Sequence, residues 1–142
     1  MKATLAILLL TALCVHPALG QDEPPADATL IAEGYQFPEG PLVDKEGNLF
    51  FTDVRGALVL KYDGENVTTF AEDTKGANGL ALDKDGNIFG CQGEGQAIAK
   101  FTPDGSMSTH LSEVDGESLN NTNDIVIDSN GNLFFTNPKQ GG

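Results

Sequence analysis

Short apolar runs and fixed turn phrases alternate along this chain. "PLV", "LAL" and "IVI" are each followed by an Asp-x-x-Gly-Asn phrase: "DKEGN", "DKDGN" and "DSNGN". A second run then follows: "LFF", "IFG" and "LFF". The turn glycines are Gly47, Gly86 and Gly131, spaced 39 and 45 residues apart. Runs this short, bounded by Gly, Asn and Asp, are strand signals. Glycine accepts positive φ in such a turn, and Asp and Asn tie it together through their side chains. The first repeat continues with "ALVLKY" and "VTTFA", joined by "DG". The second continues with "AIAKFT" and "SMSTHL", joined by "PDG". No stretch keeps a helical period. Four strands per repeat of about 40 residues is the pattern of a β-propeller blade. The expected fold is therefore all-β, a partial propeller over residues 35–142. Its blades fall at about 35–72, 73–112 and 113–142, the last incomplete, so about two and a half blades in all.

The first twenty residues break the pattern. "MKATLAILLLTALCVHPALG" has Lys2, an apolar run from Leu5 to Val15, and small residues at Ala18 and Gly20. This reads as a secretory signal peptide with cleavage before Gln21. The run is short for a membrane span. "QDEPPADATL" opens a Pro- and Asp-rich linker, residues 21–34. No second apolar stretch follows, so the mature chain is expected to be secreted or periplasmic and free of the membrane.

Charge narrows the partners. The chain has 21 Asp plus Glu against 8 Lys plus Arg, a net charge of −13, and Arg55 is its single arginine. This balance argues against nucleic acid and anionic membranes. It suits a well-solvated or cation-binding protein. Cys14 leaves with the signal, so Cys91 has no disulfide partner within the chain. No His or basic neighbour of Cys91 lowers its pKa, so a nucleophilic role is not expected.

The repeats also align three polar residues. Eight positions before each turn glycine stand Glu39, Asn78 and Asn123. Each precedes the first strand of its blade, the strand that lines the central channel of a propeller. Equivalent positions in successive blades face one axis, so their side-chain oxygens should converge. One carboxylate with two amide oxygens is a hard donor set, suited to Ca²⁺ rather than Zn²⁺. Local hydrogen bonding at the start of a strand is the competing explanation for the two asparagines. The "DKDGN" phrases themselves are hairpin turns. An EF-hand loop places its glycine later and ends on a glutamate. His110 lies in the polar strand "SMSTHLS" and is expected to be exposed.

"PEGPLVDKEGNLFFTD", "ANGLALDKDGNIFGC" and "LNNTNDIVIDSNGNLFFTNP" together resemble the opening blades of the regucalcin and gluconolactonase family, which also holds phosphotriesterase-like members. The resemblance implies a six-bladed propeller with one catalytic divalent cation, usually Ca²⁺, in the channel. It implies that Glu39 of "EGP" and Asn123 of "TNDIVID" are metal ligands. It implies a substrate-side place for Asn78 of "ANG". The activity implied is hydrolysis of a sugar lactone, a small-molecule substrate. Two further family ligands, an asparagine and an aspartate that serves as general base, would lie beyond Gly142, so the catalytic residue is not identified in this chain. The chain is thus expected to be an N-terminal portion with part of the site.

Two departures accompany the resemblance. Asn137 in "FTNP" stands where many members have an acid. Gly93 stands where many have a histidine. Both imply a shifted substrate preference. Asp124, next to Asn123, is expected to brace the strand rather than to carry chemistry, since neighbouring strand residues point opposite ways. The alternatives are a secreted propeller that binds without catalysis, and a phosphotriesterase-like hydrolase.

Overall fold

The computed structural model describes residues 3–4 and 27–139. Apart from Ala3–Thr4, the predicted signal peptide lies outside the described residues. Two units divide the chain, residues 1–35 and 36–142. In the first, β1 (Ala3–Thr4) pairs antiparallel with β2 (Glu33–Tyr35). Strand β2 begins inside the predicted linker.

The second unit is built entirely of strands among the described residues. Its first sheet runs β3 (Pro38–Val43), β4 (Leu49–Asp53), β5 (Leu58–Tyr62) and β6 (Val67–Ala71), side by side in chain order. The second runs β7 (Ala77–Leu82), β8 (Ile88–Gln92), β9 (Ala97–Phe101) and β10 (Met107–Leu111). A small polar hairpin follows, β11 (Glu113–Val114) with β12 (Glu117–Ser118). The third sheet holds β13 (Ile125–Ile127) and β14 (Leu133–Phe135). These are two four-stranded meanders and the opening hairpin of a third, as the repeat predicts.

The three turns are built alike. Asp44 Oδ1 accepts the backbone N–H groups of Glu46 and Asn48 at 3.0 and 2.8 Å, and Asn48 Nδ2 donates to Asp44 Oδ2 at 2.7 Å. The same three bonds recur between Asp83 and Asp85 or Asn87, and between Asp128 and Asn130 or Asn132. A five-residue phrase thus sets each β-turn from its own side chains, without help from the rest of the fold.

Packing between sheets explains the apolar pattern. Phe50 and Val59 of the first sheet meet Leu80, Ile88 and Phe101 of the second in one core. Phe89, Cys91 and Ile98 of the second meet Ile125 in another, with Ile127, Leu133 and Phe135 packed against it. Each large apolar side chain buried this way is worth about 1.5–3 kcal/mol. Strand β8 is buried on both faces, which is why "IFGC" reads as a continuous apolar run. Strand β13 alternates instead. Ile125 and Ile127 face the second sheet, while Val126 and its cross-strand partner Phe134 remain 59% and 58% exposed.

Candidate metal and substrate site

The first strand of each sheet meets that of the next: β3 packs on β7, and β7 on β13. Glu39 and Asn78 lie in β3 and β7, and Asn123 stands two residues before β13. The three positions thus form one row along the first strands of neighbouring sheets, with Asn123 just ahead of its strand.

A β-bulge fixes the first two members of the row. In β3, Glu39 pairs with Thr52 and Leu42 with Phe50, so three steps on one strand oppose two on the other. In β7, Ala77 pairs with Gln92 and Leu80 with Gly90, the same offset beginning one position earlier in the repeat. A bulge bends the strand and re-aims a side chain, and such devices gather beside functional sites. A glycine lies at each bulge, in "EGP" and in "ANG". Gly40 has φ +55°. A side chain on it would run into the backbone carbonyl oxygen of Asn78.

That close approach passes from blade to blade. Asn78 offers its main-chain carbonyl to the first sheet, where Thr52 Oγ1 donates to it at 3.2 Å. Asn123 does the same one blade later, accepting Gly79 N–H at 2.8 Å. A Cβ on Gly79 would lie 2.9 Å from that carbonyl oxygen and 2.8 Å from Asp124 Cα. The backbones that carry Glu39, Asn78 and Asn123 are thus stitched together through the glycine beside each of the first two. These bonds run through the main chains of the asparagines and reach neighbouring blades, and are not the local side-chain bonding that competes as an explanation for them. Among the described residues, no hydrogen bond is made by the side chains of Glu39, Asn78 or Asn123. Glu39 and Asn123 are exposed and Asn78 is half-buried.

Chemically, the row offers one carboxylate and two amide groups. Among the described residues there is no group of three His, Cys, Asp or Glu side chains able to hold a metal ion. What the row can hold is a hard cation that accepts neutral oxygens, and Ca²⁺ fits that donor chemistry. Three first-strand residues alone fall short of its usual six to eight oxygens.

The neighbouring residues sort clearly. Asp124 is exposed and its Oδ1 accepts the N–H of Ile125 at 2.9 Å, bracing the start of β13 as expected. His110 is exposed, with its ring edge-on to Phe89 at 4.9 Å. Cys91 is fully buried. Burial pushes its thiol up to about 12, against a hydrogen bond from Thr122 that works the other way, and the Asp124 charge adds to the rise. A buried thiol raised in this way is a poor nucleophile, in line with the sequence reading.

Three residues that the sequence did not bring together share a second register, six positions after each turn glycine: Asp53, Gln92 and Asn137. Asp53 is buried, and its carboxylate accepts the N–H groups of Gln36 at 3.0 Å, Phe37 at 2.9 Å and Gly56 at 3.3 Å. Gln92 is also buried, and its Nε2 donates to the carbonyl of Thr74 at 2.9 Å. Asn137 Oδ1 accepts the N–H of Asn120 at 2.7 Å. The asparagine of "FTNP" therefore accepts a main-chain N–H ahead of its blade's donor, as the aspartate of "FTD" does two blades earlier. At Gly93 a side chain would collide with Asn121 Oδ1, so the amide of Asn121 already occupies that space.

Comparisons with known proteins agree with this architecture. The family profile described as SMP-30/Gluconolactonase/LRE-like region matches residues 37–142. A gluconolactonase from Xanthomonas campestris superposes with a TM-score of 0.69 at 26% identity, over 73% of this chain and 36% of that one. A calcium-binding protein, regucalcin, from Agrobacterium tumefaciens superposes at 0.65 with 14% identity, over 81% and 43%. Virginiamycin B lyase from Staphylococcus aureus shares the fold at 0.60 with 16% identity, over 71% and 34%. The chain thus spans well under half the length of each of these structures. No curated protein matches the sequence.

Proposed function

Because the chain belongs to the SMP-30/gluconolactonase/LRE-like family, we propose that it forms the first blades of a Ca²⁺-dependent hydrolase of sugar lactones. The observation that supports this most is the row of Glu39, Asn78 and Asn123, joined through Gly40 and Gly79 with their side chains left unengaged. In this reading Glu39 and Asn123 hold the cation, and Asn78 meets the substrate. Bound Ca²⁺ supplies Lewis-acid polarisation of the lactone carbonyl. The chain's own part is positional. The bulges at Gly40 and Gly79 set where the donor side chains start, and the cores between sheets keep successive blades from shifting. Glu39 brings the single negative charge of the three, which offsets half the charge of a divalent ion. Asn78, half-buried beside it, can donate to and accept from a sugar hydroxyl through one amide. The water-activating carboxylate is assigned to the later blades of the family fold. The proposal includes export, with cleavage before Gln21.

The test is hydrolysis of glucono-1,5-lactone by the purified protein carrying all its blades. Activity should vanish with EDTA, return with added Ca²⁺, and fall by about 100-fold or more in Glu39→Gln. Unchanged turnover in Glu39→Gln would sink the proposal. Loss of an aryl phosphotriester substrate with the lactone untouched would point to the phosphotriesterase alternative. Ligand binding with neither hydrolysis would point to a binding propeller.

A further inference from the structure

We infer that Asp53, Gln92 and Asn137 are positioning residues, one per blade, that hold the row of donor residues in register. This rests on the reading above for what the row binds, but the clasps themselves are geometric. Each clasp residue stands at the end of the second strand or just past it. Each fastens the segment lying two to four residues ahead of its blade's donor. Asp53 holds Gln36 and Phe37 ahead of Glu39, Gln92 holds Thr74 ahead of Asn78, and Asn137 holds Asn120 ahead of Asn123. In the first two blades the clasp residue also pairs in the ladder just upstream of the bulge: Ala77–Gln92 is the last pair before it in β7, and Pro38–Asp53 stands one pair before Glu39–Thr52 in β3.

The placement matters because a bulge weakens its own ladder. With one residue unpaired on β3, the register of Glu39 against Thr52 depends on what anchors the strand upstream. A slip of one residue would turn Glu39 to the other face of the sheet. Asp53 prevents it with two charge-assisted bonds to consecutive N–H groups, each stronger than a neutral bond. A main-chain bond stands beside the clasp in every blade. Val54 N–H donates to Phe37, Gly93 N–H to Gly76, and Asn121 N–H to Pro138, at 3.0, 3.1 and 3.3 Å. The same two positions are bonded in all three blades, with the direction reversed in the third because Pro138 has no N–H, and the clasp side chain completes the frame.

The residue types differ for a reason the hydrogen bonds state. Blades one and three present N–H groups, so an acceptor is required, and Asp or Asn serves. Blade two presents the Thr74 carbonyl, so a donor is required, and an amide serves where a carboxylate would not. This polarity separates the clasps from generic core packing.

The experiment is a Ca²⁺ titration, by isothermal calorimetry, of the protein carrying all its blades, with a circular-dichroism melt of each variant. Asp53→Ala and Asn137→Ala should weaken Ca²⁺ binding by about 10- to 100-fold, the usual cost of losing an outer partner of a metal ligand. Asn137→Asp keeps the acceptor and should keep wild-type affinity, whereas Gln92→Glu should lower the melting temperature because it sets an oxygen against Thr74. Asn137 is half-buried near the end of the described residues, so its variants decide the matter if Asp53→Ala does not fold. Wild-type protein that binds no Ca²⁺ overturns the metal reading and the role toward it together. Wild-type protein that binds, with Asn137→Ala and folded Asp53→Ala binding equally well, overturns the clasps and leaves the metal reading standing.

Discussion

Replacing Gly40 by alanine tests the interlock between the first two blades most directly. Two costs add at this position. The backbone sits at φ +55°, where an L-side chain pays about 1–2 kcal/mol. The new methyl would also meet the carbonyl oxygen of Asn78, and would lie 3.1 Å from its carbon and 3.2 Å from Gly79 Cα. These are backbone atoms of another sheet and cannot rotate away. Overpacking of this kind costs about 1–3 kcal/mol. The total is about 2–5 kcal/mol, and for a unit of this size each kcal/mol moves Tm by about 4 °C. Gly40→Ala should therefore melt about 8–20 °C below wild type. Gly47→Ala is the matched control. It has φ +88° but nothing within 4 Å of the added methyl. Only the conformational cost applies there, about 1–2 kcal/mol and about 4–8 °C. The two variants are compared by differential scanning calorimetry. If Gly40→Ala melts level with Gly47→Ala, the close packing of Gly40 on Asn78 is not what joins the blades.

Other expectations follow from the same structure. The carboxyls of Asp44 and Asp83 lie below their ordinary value: burial pushes each up, but hydrogen bonds from Asn48 and Glu46, or Asn87 and Asp85, with help from Lys61 or Lys100, outweigh it. Asp128 is lowered mainly by the Asn132 amide. A lowered carboxyl stabilises the fold above its unfolded value, near pH 4, and that contribution is lost as pH falls through the folded value. Thermal melts should thus decline from pH 5 to pH 3, and Asp44→Asn with Asp83→Asn should flatten the decline. An unchanged slope in that double variant would refute the turn assignment. Cys91 should resist Ellman's reagent at pH 8 in the folded protein and react fully in guanidinium, because burial holds its thiol at about 12. Rapid native labelling would mean that the core between the second and third sheets is open. Gly79→Ala should disturb the second interlock as Gly40→Ala disturbs the first, since its methyl would lie 2.6 Å from Asp124 Oδ1.

The parts of the fold that show in the sequence are those decided locally. An Asp-x-x-Gly-Asn phrase makes its own hydrogen bonds within five residues, so the three turns built on it and the strands beside them could be read directly. The row of Glu39, Asn78 and Asn123 was legible by counting back from the turns. The bulges were not, because they show only in how β3 and β7 pair with their neighbours. The interlock was hidden for a plainer reason: it uses main-chain carbonyls, which every residue has. The clasps escaped because Asp, Gln and Asn look unlike one another, and their partners lie 16–18 residues away. Counting forward six positions from each turn glycine would have found them. The hairpin at Glu113–Ser118 carries a "DG" turn, with Asp115 and Gly116 both at positive φ, but its strands are too polar and short to announce themselves.

What varies between the repeats is as informative as what recurs. The turn recurs in all three repeats and the bulge in the first two, while the residue eight positions before the turn glycine changes from Glu to Asn. Had all three been glutamate, three carboxylates would face one axis, and like charges at such a site raise one another's pKa until a proton is shared. Proton competition would then weaken cation binding near neutral pH. One carboxylate with two amides avoids this and still supplies oxygen from every blade. The net charge of the row is −1, so in the proposed reading it would half neutralise a divalent ion. Placing a glutamate at Asn123 should therefore not improve the site. Asn123→Glu is expected to make Ca²⁺ affinity fall more steeply as pH is lowered from 8 to 6 than it does in wild type, as measured by calorimetry. A variant with tighter binding and the same pH dependence would show that charge, rather than the mixture of charge and neutral oxygen, is what the row was built to supply.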